Sequence, residues 1–287
     1  MPEKFTWNDL GDDLPFEGTR LESVDEIRAA VGAPPRAVTQ QEKAAPPATP
    51  APPPVPDATQ FRPVMRPPMA MLCVIDDGKT EGEWFRIRAD TFVIGRTEGD
   101  LKIPHDRMIS SKHVSITREA DKGRFRWFIN DLQTKNGTFI RAATAVMIHG
   151  TEILIGGRRF SFNAAIQGMA ALKASEEAHN KTGGWGVVNP TDLIPSLTEL
   201  KPDGSEGTRH FLHSEEVEIG RDAKCAVALD DPMVSPKHAK VKKAKDGDWE
   251  VHNLSAMNGT WIRKNRMAVT NVGQFQIGEQ RFLLKVL

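Results

Sequence analysis

A chain of 287 residues has room for about two domains. With 39% hydrophobic and 26% charged residues it suits a soluble globular protein carrying some extra polar sequence, and 38 basic against 38 acidic side chains argue against a general affinity for nucleic acid or acidic membranes. Cys73 and Cys225 are the only cysteines, far apart and outside any C-x-x-C or Cys/His metal spacing, so the sequence suggests neither a disulfide framework nor a metal site, and both read as small apolar strand residues in a reducing compartment. No apolar run approaches the ~18 residues of a membrane span. The acidic start MPEKFTWNDLGDD is the wrong chemistry for a signal peptide, so the expected location is cytoplasmic.

Residues 1–33 form an acidic segment in which eight carboxylates face three basic side chains. Within it SVDEIRAAVG offers Ser23 and Glu26 as a capping box, apolar Val24, Ile27 and Val31, and a stop at Gly32 before Pro34, which spells one short helix. At that length the helix is not stable alone and either docks on the folded part or waits for a partner. Phe5, Trp7, Leu10 and Phe16 make it a docking motif or leave it plain disordered sequence. Residues 34–68 hold twelve prolines among Ala, Thr and Gln and read as a disordered tether.

From Met69 onward the texture changes. MLCVI, EWFRIR, FVIGR, HVSITRE, RFRWFIN, TFIR and TEILIGGRRFSF are strand-length runs, rich in β-branched and aromatic residues, at the spacing of a sandwich or barrel. Residues 164–192 form a linker whose Ala-rich part, Ala164 to Lys181, is helical or helix-prone and ends at Gly183-Gly184. Helical or flexible, it would space two modules by about 30 Å. Strand-like runs resume near Ser196.

The two β regions are one region written twice. Gly95-Arg96 matches Gly220-Arg221, Ser110 matches Ser235 and His113 matches His238, all displaced by 125 positions. Trp127 matches Trp249, Asn136-Gly137-Thr138 matches Asn258-Gly259-Thr260, Ile155-Gly156 matches Ile277-Gly278 and Phe160 matches Phe282, displaced by 122. The three-residue difference falls between His113 and Trp127, as expected of a hairpin loop.

Each copy repeats Gly-Arg at the end of an apolar strand, Ser-x-x-His opening another, and Asn-Gly-Thr leading into a third. Strand ends on one side of a sandwich cluster, so the three sites can converge on one loop-built patch. An Arg, Ser hydroxyls, backbone N–H groups and an Asn amide are all donors. Such a patch with one fixed positive charge suits a phosphate on a peptide, while the Asn amide suits a neighbouring peptide group.

These ordered residues resemble the forkhead-associated (FHA) family, over 69–163 and 193–287. The resemblance implies an all-β fold of two FHA-type antiparallel β-sandwiches joined by the helix-prone linker, with a disordered N-terminal tail. It also implies phosphothreonine-peptide binding without catalysis and without a cofactor. Carried over, the first site is Arg96, Ser110, Ser111 and Asn136 with Lys112 and Lys135 flanking, and the second is Arg221, Ser235, Lys237 and Asn258. The Arg and Ser would hold the phosphate and the Asn the peptide backbone. His113 and His238 would brace the loops, with Gly95, Gly137, Thr138, Gly220, Gly259 and Thr260 as structural support. Pro236 replaces Ser111 and offers no donor, and Met257 stands where copy one has Lys135, so copy one is expected to bind phosphate more strongly and copy two either to bind more weakly or to serve structure alone.

The function implied is a tandem phosphothreonine-binding adaptor in Ser/Thr-kinase signalling, its partners phosphorylated proteins, with bivalent capture open to it. Phosphorylation of Thr39, Thr49 or Thr59 would let the tail fold back or link two copies of the chain. The alternative is a phosphorylation-independent scaffold or assembly protein, for example in a secretion or envelope complex. The His residues lack a nucleophile with a positioned carboxylate, GTEILIGGRRF lacks the nucleotide-loop spacing, and Arg124, Arg126, Arg158 and Arg159 read as solvated charges opposite Phe125, Trp127 and Phe160.

Overall fold

The computed structural model describes residues 19–23, 26, 69–75, 82–121, 124–165, 190–254 and 256–287. A short strand β1 (Thr19–Leu21) precedes the first copy, which supplies β2 (Ala70–Ile75), β3 (Gly82–Ile87), β4 (Thr91–Gly95), β5 (Leu101–Lys102), β6 (Val114–Asp121), β7 (Arg124–Asp131), β8 (Thr138–Met147), β9 (Glu152–Ile155) and β10 (Arg158–Asn163). After a single 3-10 turn at Pro190–Leu193, the second copy supplies β11 (Ser196–Leu200), β12 (Glu206–Phe211), β13 (Glu216–Gly220), β14 (Val227–Ala228), β15 (Ala239–Lys243), β16 (Trp249–Asn253), β17 (Thr260–Arg263), β18 (Arg266–Val269), β19 (Val272–Ile277) and β20 (Gln280–Val286). The fold is all-β, and among the described residues every pairing is antiparallel except the short β4–β5 and β13–β14 pairs.

Period-two alternation drives these strands. Along β7, Trp127 and Ile129 go fully into the core, and along β10 Phe160 and Phe162 do the same. The three-residue difference between copies lengthens a hairpin: β6 and β7 pair through eight positions, Val114↔Asp131 to Asp121↔Arg124, where β15 and β16 pair through five. The arginines of β10 are engaged rather than merely solvated, Arg159 bonding Glu152 at 2.5 Å and Arg158 lying 3.8 Å from Glu199.

The strands do not pair within their own sequence copies. β7 pairs with β18, Trp127 opposite Val269, and β8 pairs with β16, Met147 opposite Trp249. Displaced by 122 positions, these are the same pairing with the copies exchanged. Likewise β2 pairs with β20 and β10 with β11. The chain crosses where β8 and β17 run antiparallel, Phe139↔Arg263, Ile140↔Ile262, Arg141↔Trp261 and Ala142↔Thr260. Ile140 and Ile262 are equivalent residues, so a local pseudo-twofold axis passes between them. Through this crossing one continuous sheet runs β12-β11-β10-β9-β17-β8-β19-β20-β2-β3.

The cores follow the exchange. One packs Leu72, Ile94, Ile116 and Trp127 against Met267, Phe275, Phe282 and Leu284. The other packs Val217, Ile219, Val241 and Val251 against Met147, Ile153, Phe160 and Phe162. Sequence copies and packing units therefore divide the chain differently, each unit taking its early strands from one copy and its late strands from the other.

The linker does not act as a spacer between these units. Its two ends sit on adjacent strands, Asn163 opposite Ser196 in the β10–β11 pair, so it leaves and re-enters the same unit. The helix expected from Ala164 lies outside the described residues beyond Ala165, as do the tether, Thr39, Thr49, Thr59 and the aromatic residues of the acidic segment. Part of that segment is docked: β1 pairs with β8 (Thr19↔Ala145, Arg20↔Thr144, Leu21↔Ala142) and Glu22 is buried. Ser23 and Glu26 form the reciprocal capping bonds, Ser23 N–H to Glu26 Oε2 at 2.7 Å and Glu26 N–H to Ser23 Oγ at 3.2 Å.

Cys73 is a buried residue of β2. Cys225 is buried too, but in the turn before β14 rather than in a strand, because its N–H bonds Asp222 O and draws the thiol beneath Pro236 O at 3.4 Å. Among the described residues no helix is long and apolar enough to cross a membrane.

Because each core draws on both copies, the protein should unfold in one cooperative transition, with tryptophan fluorescence and far-UV circular dichroism giving coincident urea curves. Ile140→Ala or Ile262→Ala should lower that single midpoint at a cost of about 2–5 kcal/mol. Two separable transitions would mean independent modules.

Candidate functional site: two loop-built patches

In the first patch β4 ends at Gly95 and the chain turns against the loop before β6. Arg96 N–H donates to Ser110 O at 2.8 Å, and Glu98 N–H to Ser111 O at 3.0 Å. A Cβ on Gly95 would lie 2.1 Å from Ser111 O, so only glycine permits this approach. His113, fully buried, locks the next contact. Its Nδ1 accepts from Ser110 N–H at 3.1 Å, which leaves the proton of the neutral ring on Nε2 to donate to Gly137 O at 3.1 Å.

The Asn136 loop is ordered from beneath. Thr134 N–H and Oγ1–H donate to the two carboxylate oxygens of Asp131 at 2.7 and 2.8 Å, and Thr138 Oγ1 joins the same carboxylate at 2.7 Å. Asn136 Nδ2 then donates to Met108 O at 2.8 Å, tying this loop to the one that carries Ser110 and Ser111. Asp106 holds Met108 N–H at 2.8 Å from below. Arg96, Ser110, Ser111 and Asn136 thus share one hydrogen-bonded set of loops.

The Arg96 guanidinium has no ion pair among the described residues, and its buried Nε lacks a hydrogen-bond partner. Ser110 is half-buried and Ser111 exposed, and among the described residues neither hydroxyl has a hydrogen-bonded protein partner. Lys112 lies 3.5 Å from Glu98, and Lys135 is exposed.

The second patch repeats the frame with fewer donors. Arg221 N–H bonds Ser235 O at 2.9 Å, His238 Nδ1 accepts from Ser235 N–H at 3.2 Å while its Nε2 donates to Gly259 O at 2.9 Å, and Asn258 Nδ2 donates to Met233 O at 2.8 Å. Lys237 is committed to Glu218 at 2.9 Å, a contact that raises its pKa. Met233 and Met257 are exposed beside Asn258. The Thr134 position becomes buried Ala256, and Thr260 bonds Asn253 rather than an aspartate.

Sequence reasoning passed over Asp106, Asp131 and Thr134, and over a group of arginines and carboxylates around β8 and β17. Repetition was the signal available: Asp106 and Asp231 are displaced by 125, and Arg141 and Arg263 by 122 in TFIR and TWIR. Asp231 bonds Met233 N–H at 2.8 Å as Asp106 bonds Met108.

Two β-sandwich units, each bringing the loops of an Arg, a Ser and an Asn together at its strand ends, define an all-β protein with two loop-built patches. A family model described as the FHA domain matches the chain twice, at residues 92–156 and 217–279. Over 105 residues the chain is 30% identical to an oxoglutarate dehydrogenase inhibitor of Corynebacterium jeikeium, a match covering 32% of this chain and 72% of that protein. It is 26% identical over 113 residues to the glycogen accumulation regulator GarA of Mycolicibacterium smegmatis, covering 37% of this chain and 71% of that one. Full-length yeast Pml1p, a solved structure, aligns with TM-score 0.24 at 21% identity, over 26% of this chain and 58% of that one. The chain belongs to the FHA-domain family and carries the domain in tandem.

Burial pulls the pKa of both His113 and His238 below the ordinary 6.5, outweighing the bonds to Gly137 O and Gly259 O that favour the charged form. The unfolded chain takes up protons near pH 6.5 where the folded imidazoles do not, so acidification favours unfolding. Their full contribution to stability is present above that value and declines below it. The melting temperature should fall between about pH 7 and about pH 5, and the double variant His113→Gln/His238→Gln, though less stable at neutral pH, should show a shallower decline. An unchanged slope would remove these rings as its cause.

Proposed function

We propose that the protein is a non-catalytic adaptor that reads phosphothreonine on protein partners in Ser/Thr-kinase signalling, with the first patch as its principal site. The observation that supports this reading is the Arg96 side chain, part-buried and with no carboxylate partner among the described residues, on a turn whose backbone is bonded to the loop of Ser110 and Ser111. A pre-positioned cation that the fold leaves unpaired is a binding group for a compact, multiply charged acceptor, and a dianionic phosphate accepts from guanidinium and hydroxyls together. Asn136 offers its amide to the peptide backbone alongside.

The second patch has Arg221, Ser235 and Asn258 but loses a hydroxyl at Pro236 and ties up Lys237 with Glu218. It binds phosphate more weakly, and its exposed Met233 and Met257 favour apolar contacts beside the phosphate. Two relatives bear the names of an enzyme inhibitor and a regulator, which fits control of a partner by binding rather than turnover.

A phosphothreonine peptide library, with unphosphorylated and phosphoserine controls, tests the reading. Phosphate-dependent binding should be weakened about 10- to 100-fold by Arg96→Ala and less by Arg221→Ala. Partner capture that ignores phosphate and survives Arg96→Ala would replace the adaptor with a constitutive scaffold.

A further inference from the structure

The arginines of the crossing strands lie where no copy-internal reading of the sequence would put them. Arg263, from copy two, reaches the Asn136 loop of the first patch, its Nη2 donating to Thr134 O at 3.0 Å and to Lys135 O at 3.4 Å. It lies flat on Gly137, where a Cβ would come within 2.2 Å of its Nε and where φ is +76°, so the glycine serves both the turn and this contact. Glu152 holds the other edge of the guanidinium at 2.8 Å.

Arg141, the equivalent residue of copy one, does the same for the second patch. Its Nη2 donates to Ala256 O at 3.2 Å and Met257 O at 3.3 Å, and a Cβ on Gly259 would fall 2.4 Å from its Nε. The counter-charge differs. Position 274, equivalent to Glu152, is a glutamine, and Gln274 gives Arg141 only a neutral acceptor at 3.3 Å. Arg141 is 3% exposed, and a buried guanidinium without a carboxylate is costly. Glu22, carried in by β1, bonds Arg141 Nε at 2.5 Å and is itself held by Asn253 Nδ2. The loops below are also joined across copies: Glu279 N–H donates to Asp106 at 2.8 Å and Gly157 N–H to Asp231 at 3.4 Å.

We propose that Arg263 is the positioning residue of the first recognition patch and Arg141, with Glu22, that of the second, so each patch is completed by the opposite sequence copy. The role in recognition rests on the phosphopeptide reading; the bracing of the loops does not. Two donors on adjacent carbonyls fix the peptide planes just before each Asn, and the Asn amide direction follows from those planes. Each patch then depends on residues more than 100 positions away in the sequence, and the second depends also on the acidic N-terminal segment.

Amide hydrogen exchange and peptide titration on the full chain test this together. Arg263→Gln should speed exchange around Thr134–Gly137 by about tenfold and leave Ala256–Gly259 unchanged, with Arg141→Gln and the milder Glu22→Gln giving the reverse pattern. In an Arg221→Ala background, where the first patch acts alone, Arg263→Gln should weaken phosphopeptide binding about 3- to 10-fold and Arg141→Gln should not. Should an Arg variant fail to fold, Glu152→Gln replaces Arg263→Gln and Glu22→Gln replaces Arg141→Gln. Loosening of the patch in the same copy as the substituted residue, or of both patches equally, overturns the proposal. The expected exchange pattern without any phosphopeptide binding by wild type would leave the bracing standing and sink the recognition reading alone.

Discussion

The antiparallel pairing of Phe139–Ala142 with Thr260–Arg263 is the constraint on which the molecule depends. Both strands leave an Asn-Gly turn that belongs to one patch and enter the sheet of the other unit, and Ile140 meets Ile262 at the point where they cross. Beyond the crossing the strands are exchanged: β18 to β20 complete the core that β2 to β7 begin, and the later part of β8 with β9 and β10 completes the core of β11 to β16, while Ile140 and Ile262 at the crossing stay in the core of their own copy. In this structure each core is closed by strands from both copies.

The crossing also governs the patches, because the two sets of patch loops sit at its entry points. His113 and His238 fix the last residue before each crossing by taking Gly137 O and Gly259 O, and the residues just beyond carry the arginines that brace the opposite loop. A two-module chain with a flexible spacer would present two independent sites. Here the sites share a sheet and exchange supports, so rigidity at one is built partly from the sequence of the other. The asymmetry between the copies then acquires a structural meaning. Glu152 serves the first patch from within the exchanged strands, while Gln274 leaves the second to recruit Glu22 from outside them.

Much of this was legible in the residues. Alternation in RFRWFIN and in RRFSF set strand and face, and the repeated Gly-Arg, Ser-x-x-His and Asn-Gly-Thr located the loops that the fold gathers at its strand ends. What could not be read was partner choice. TFIR and TWIR carry the same pattern, and so do the strands on either side of them, so the apolar pattern fits pairing within a copy and across copies alike. Glu22 was invisible for a different reason: a single carboxylate in an acidic segment announces nothing until the buried guanidinium it serves is placed. Cys225 was misplaced because strand propensity does not register a turn whose purpose is to seat a thiol under Pro236 O.

A protease site inserted between Ala165 and Pro190 tests the exchange directly. After cleavage of the folded protein, size-exclusion chromatography under native conditions should return both fragments in one peak at the mass of the intact chain, since each packing unit is assembled from both. Fragments that separate into two stable, folded halves would contradict the exchange and return the protein to two self-contained domains.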